Sequence, residues 1–246
     1  RTPSTRTPRQ HARARHRTPR ARPTRSERDG LADRSGLVRA CARWLLAQAG
    51  GDPYATCLAL IKDPERLSPY AVTGFCECAK RADAPLLPSL LGHPAGSVRA
   101  AALAGLRRLE VSTDDAVLIP LLDDPWPAVA REAALSLLLV AGRLDQRHLA
   151  DRIGPARPAH VRRAAFRLLR ARRGIHELRA AVALTADPDP GLREQARAIV
   201  RGWNWQATLR SAEADRTELA GLLGRSAHLF DDYELGLRRS RLGLTG

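Results

Sequence analysis

A chain of 246 residues holds one large domain or two small ones. Hydrophobic residues are 44% of it and charged residues 27%, with Lys+Arg 41 against Asp+Glu 26 for a formal charge of +15. That balance excludes a collagen, a disulfide scaffold and a wholly disordered chain, and with aromatics at only 4% it predicts a core of Ala, Leu and Val.

The basic residues are almost all Arg, the exceptions being Lys62 and Lys80, and Asn occurs once, at Asn204. This is the skew of a GC-rich genome, so Arg in place of Lys carries no chemical message by itself. No Met occurs, not even at position 1, and the chain reads as a processed or truncated piece. Residues 1–30 hold ten Arg against Glu27 and Asp29, a net +8, with Pro3, Pro8, Pro19 and Pro23 and few large apolar side chains. Such a segment cannot bury enough surface to offset its ordering entropy, which predicts a disordered arm.

Residues 31–205 are dominated by an internal repeat. Val98, Val129, Val161 and Leu192 lead segments spaced by 31 or 32 residues. Ala102, Ala133, Ala165 and Ala196 align at that spacing, as do Leu106, Leu137, Leu169 and Val200. Before the leading residue stands a stop and restart signal, His93-Pro94, Asp124-Pro125 and Asp187-Pro188, from which the third copy departs with Ala156-Arg157. Fainter copies lie upstream, at Leu67, Ala71 and Phe75 and around Val38-Arg39. Inside a unit the apolar spacing is i, i+4, i+7, i+8, one stripe of a helix. The other half of each unit predicts a partner helix, over 84–92, 114–122, 146–153 and 175–186. Units of two short helices bury their faces only by stacking, so the pattern predicts an all-α solenoid of about five to six repeats. Leu219, Leu222, Leu223, Leu229 and Phe230 predict capping helices over 206–246. Trp203 and Trp205 are expected to close the last core layer.

The strings at 93–109, 124–142 and 187–203 resemble HEAT repeats, in particular the short type first noted in phycobilisome lyases. The resemblance covers about two thirds of the chain and implies an armadillo/HEAT-like superhelix whose Val-Arg helices line the concave surface. It also implies that a recurring Arg pairs with the loop Asp of a neighbouring repeat. On that ground Arg99, Arg131, Arg162 and Arg193, with Asp124 and Asp187, are expected to form a structural ladder. Arg163, Arg167 and Arg170 fall at i, i+4, i+7 away from the apolar stripe. With Arg107 and Arg201 at related positions they are the candidate basic binding stripe.

No phosphate-binding Gly-rich loop, H-E-x-x-H or G-x-S-x-G motif occurs, and the seven His are scattered. Cys41, Cys57, Cys76 and Cys78 lack metal-ligand spacing and are expected to be small buried hydrophobes in a reducing, cytoplasmic setting. No metal or cofactor is expected. The longest apolar run, Leu135 to Val140, is far too short to span a bilayer, so no membrane association is expected. The functional expectation is a non-enzymatic scaffold that holds a protein partner, through an acidic surface, on its concave face. The alternative is nucleic-acid binding by the basic stripe and the Arg-rich arm. Some HEAT-like proteins are glycosylases of alkylated DNA, but the acidic residue and Trp set they use is not identifiable here. Lyase or chaperone action on a bilin is implied by the subtype name alone. Oligomeric state is not assigned.

Overall fold

The computed structural model describes residues 29–211 and 215–244, and every secondary-structure element among them is a helix. The arm expected over residues 1–30 lies outside the described residues, apart from Asp29 and Gly30. The chain divides into two compact units with the boundary after Cys78. No helix among the described residues is long and apolar enough to cross a membrane.

The first unit holds a 3-10 turn (Gly30–Ala32) and three helices, α1 (Gly36–Gln48), α2 (Pro53–Lys62) and α3 (Pro69–Cys78). Pro53 opens α2, where its missing N–H costs nothing, and the Asp52 carboxylate accepts the backbone N–H of Tyr54 and Ala55. Leu31, Leu46, Cys57, Val72 and Phe75 fill the interior. The Leu31 carbonyl passes so close to Gly74 that a Cβ there has no room, which fixes glycine at that point of α3.

The second unit holds four long helices, α4 (Gly96–Arg108), α6 (Pro127–Leu137), α8 (Ala159–Ala171) and α10 (Pro190–Arg201). Between and after them run α5 (Asp115–Leu118), α7 (Gln146–Arg152), α9 (Gly174–Ala183), α11 (Trp205–Arg210), α12 (Arg216–Arg225) and α13 (Asp232–Arg241). Helix α4 packs on α6 and α6 on α8, while α9 packs on α8, α10 and α12. All twelve aligned apolar positions of the four long helices are buried, and the four alanines among them are fully so. Their small side chains let neighbouring helices approach closely.

Two of the expected partner helices are replaced by tighter turns. The stretch 84–92 forms 3-10 segments Arg81–Leu86 and Pro88–Gly92, and 114–122 forms the four-residue α5 followed by 3-10 Pro120–Asp123. Pro85, Pro88 and Pro120 remove N–H donors that a continuous α-helix needs. The partner stretches without an internal Pro, α7 and α9, are α-helical. Leu219, Leu222 and Leu223 of α12 are buried, and Trp205 is 4% exposed. Trp126 is half-exposed and lies over Gly96, leaving no space for a Cβ.

Candidate binding groove

The entries to α4, α6 and α10 are built the same way, while α8, preceded by Ala156, has no side-chain cap. The Asp124 carboxylate accepts the Trp126 N–H at 2.8 Å, and that of Asp187 accepts the Asp189 N–H at 2.8 Å, turning the chain into the helix start. His93 does the same in the first copy, its Nδ1 accepting the Ala95 N–H at 3.1 Å. Each carboxylate then receives a guanidinium from the preceding long helix. Arg99 donates to both oxygens of Asp124 at 2.9 and 2.7 Å, and Arg162 to both oxygens of Asp187 at 2.8 and 2.8 Å. The Arg162 side chain is 5% exposed and that of Asp187 2%. Arg99 also donates to the carbonyls of His93 and Pro94, and Arg162 to that of Arg157. These arginines thus satisfy both the carboxylate and the open turn before their own helix.

Arg193 and Arg131 do not complete the ladder. Arg193 donates to the Asp187 and Pro188 carbonyls, the same local clamp, but has no carboxylate partner among the described residues. The residue one ladder step ahead, Glu218, instead takes Arg179. Arg131 is out of register. It follows Val129 by two residues where Arg99, Arg162 and Arg193 follow their leading residues by one, and one residue is 100° around a helix. Its own step ahead is Ala156, with no carboxylate. Arg131 faces the other way, donating to Glu132 at 3.2 and 3.0 Å.

The true counterpart of Arg131 is Arg163, and together they define a groove. A cleft of about 370 Å³ lies between α6 and α8, walled by Arg131, His160, Arg163 and Arg167 over a floor of Pro127, Ala128 and Ala164. Beyond Arg163 and Arg167 a second cleft, about 610 Å³, is lined by Arg170, Arg173, Glu177 and Gln195. The two clefts adjoin, with Arg163 and Arg167 lining both. No known protein family, curated protein or solved structure matches the chain.

The five stripe residues do not act alike. Arg163 pairs with Asp189, Arg170 with Glu177 at 3.3 Å, Arg107 with the buried Glu132 at 2.6 Å, and Arg201 with Glu194 at 3.8 Å. Arg167 alone among the five has no ion pair with the described residues, and it stands exposed and lines both clefts. Arg107 and Arg201 line neither cleft. The backbone N–H of Leu192 and then Arg163 hold the Asp189 carboxylate below its ordinary range, so it stays a capping anion. His160, Arg131 and Arg173 escaped the sequence reading as groove residues. The two-residue offset after Val129 and Val161 was a signal for Arg131. Arg173 had none, being placed by a positive-φ turn (φ 57°) between α8 and α9.

A second charged cluster belongs to the first unit. Arg39 donates to both oxygens of Glu77, at 3.1 and 2.5 Å, and to the carbonyls of Asp33 and Arg34. This is the local clamp of Arg99 again. Arg43 also reaches Glu77. Burial pushes the Glu77 carboxyl up, but the bonds from Arg39 and Arg43 outweigh it and leave the group below its ordinary range. Nearby, the Cys57 thiol bonds that of Cys78 and, with Arg43, lowers the Cys78 thiol to about 7, while Cys57 is pushed up. The expectation of four buried cysteines fails for Cys41, which is exposed on the outward face of α1, and for the half-buried Cys78. No disulfide joins any of the four.

Proposed function

We propose that this chain is a HEAT-like helical-repeat scaffold, without catalysis of its own, that holds an acidic protein partner. The solenoid reading draws support from the repeated buried apolar positions and the repeated Arg clamp. The functional reading is carried by one observation, the pair of adjoining basic clefts that share Arg163 and Arg167. Clustered guanidinium groups over a shallow apolar floor attract an acidic surface and give it geometric specificity. Nucleic acid is the second reading, favoured by the same arginines.

The experiment is partner capture from native extract with the full chain, with and without nuclease, alongside an Arg163→Glu/Arg167→Glu/Arg170→Glu variant of unchanged melting temperature. A discrete protein that survives nuclease and is lost on the variant is the expected result. Partners that vanish with nuclease, and binding that weakens steeply with salt, would replace the scaffold reading with the nucleic-acid one.

A further inference from the structure

We propose that the cleft between α6 and α8 is a phosphate-monoester site that anchors a phosphorylated side chain of the partner protein. The inference rests on the groove being the partner face and adds the chemistry of its anchor.

The cleft takes arginines from both of its helices. Arg131 enters from α6, and Arg163 and Arg167 from α8, with His160 one turn before Arg163. No carboxylate lines it. The acidic groups that pair with Arg131 and Arg163 use only part of each guanidinium. Glu132 takes Nε and one terminal nitrogen of Arg131, and Asp189 takes one terminal nitrogen of Arg163. These contacts fix both side chains and leave further N–H donors, while Arg167 keeps its whole fork. Holding the donors in advance lowers the entropy cost of gathering them around a ligand.

Ligand valence follows from the donor set. A single carboxylate is satisfied by one guanidinium fork. Three arginines lining one concavity offer the donors that a dianion with three terminal oxygens takes, which is a phosphate monoester. The cleft volume of about 370 Å³ accommodates a phosphoryl group with the side chain that carries it. The apolar floor of Pro127, Ala128 and Ala164 suits the adjoining methylene.

The confinement of the charge argues against a nucleic-acid track. A strand backbone presents a phosphate at every nucleotide and needs cations along its path. Here the unpaired charge is short. Arg107 and Arg201 line neither cleft and are paired with Glu132 and Glu194, and the groove arginines without an ion pair among the described residues are Arg167 and Arg173. No Trp, Tyr or Phe lines the cleft to stack on a base.

The test uses the full chain and three fluorescent probes of equal length. They are a Gly/Ser peptide with one phosphoserine, the same peptide with Glu at that place, and a single-stranded DNA oligomer. Binding is read by anisotropy for wild type, Arg167→Gln and Arg147→Gln. The last removes the same charge from an exposed site on α7, away from the cleft. The phosphopeptide is expected to bind about tenfold or more tighter than the Glu peptide, and to lose about tenfold in Arg167→Gln alone. Equal affinity for the two peptides, both sensitive to Arg167→Gln, would sink the phosphate site and leave the acidic-partner reading standing. Arg167-dependent binding of the DNA above both peptides overturns both. So does the absence of any Arg167-dependent peptide binding at millimolar concentration.

Discussion

Arg162 and Arg163 are consecutive residues on α8, yet one belongs to the ladder and the other to the groove. The Arg162 side chain is 5% exposed and locked bidentate on Asp187, whereas that of Arg163 is 56% exposed with one nitrogen on Asp189. Around the helix the two differ by 100°, and that rotation separates a structural charge from an available one. Residue type and local charge say nothing about which is which. Burial and partner count do.

The comparison can be broken most severely at its foundation, the alanine layer between long helices. Ala133→Asp is expected to cost about 4 kcal/mol or more and to prevent folding of the second unit at moderate temperature, since it buries an unpaired charge. A melting temperature equal to wild type would show that α6 does not pack as described.

Next comes the ladder against the groove on the same helix. Arg162→Ala leaves Asp187 buried without its partner and is expected to cost about 3–5 kcal/mol. Arg163→Ala breaks an exposed pair and is expected to cost about 0–1 kcal/mol. Denaturant midpoints of the two variants decide the matter; similar losses would erase the distinction between ladder and groove.

The acid response extends the contrast to the first unit, where Glu77 plays the anchoring role for Arg39. Its folded carboxyl lies below the unfolded value of about 4.3, so the stability it adds is complete above that pH. It is lost as pH falls through the lowered folded value. Glu77→Gln should be less stable than wild type at neutral pH, with the difference shrinking on acidification. A difference that stays constant down to the acid limit would mean the Arg39–Glu77 bond is not charge-dependent.

The smallest effect is local and chemical. Because the bond from Cys57 and the charge of Arg43 favour its thiolate, Cys78 should be alkylated with a midpoint near pH 7, well ahead of Cys57. Arg43→Gln should shift that midpoint upward. Mass-spectrometric labelling that finds Cys57 first would reverse the assignment.

Helix class, the apolar stripe and the spacing of the buried layer were readable from residues alone, because a fixed period places Val98, Ala102, Leu106 and their counterparts on one face. The Arg99–Asp124 and Arg162–Asp187 partners followed from the same period together with the resemblance to HEAT repeats. Arg131 departs from the ladder because it stands one residue later in its unit than Arg99, Arg162 and Arg193, which in a helix is a change of face.

The sequence by itself determined that the chain is helical, which face of each long helix is apolar and where the chain turns, since these depend on contacts within a few residues. Only the tertiary structure decided that Glu132, Asp189 and Glu177 neutralise much of the stripe. It also decided that Arg131, His160, Arg163 and Arg167 meet across two helices around one cleft. Those outcomes depend on side chains far apart along the chain, and local pattern carries no record of which distant charge arrives opposite which.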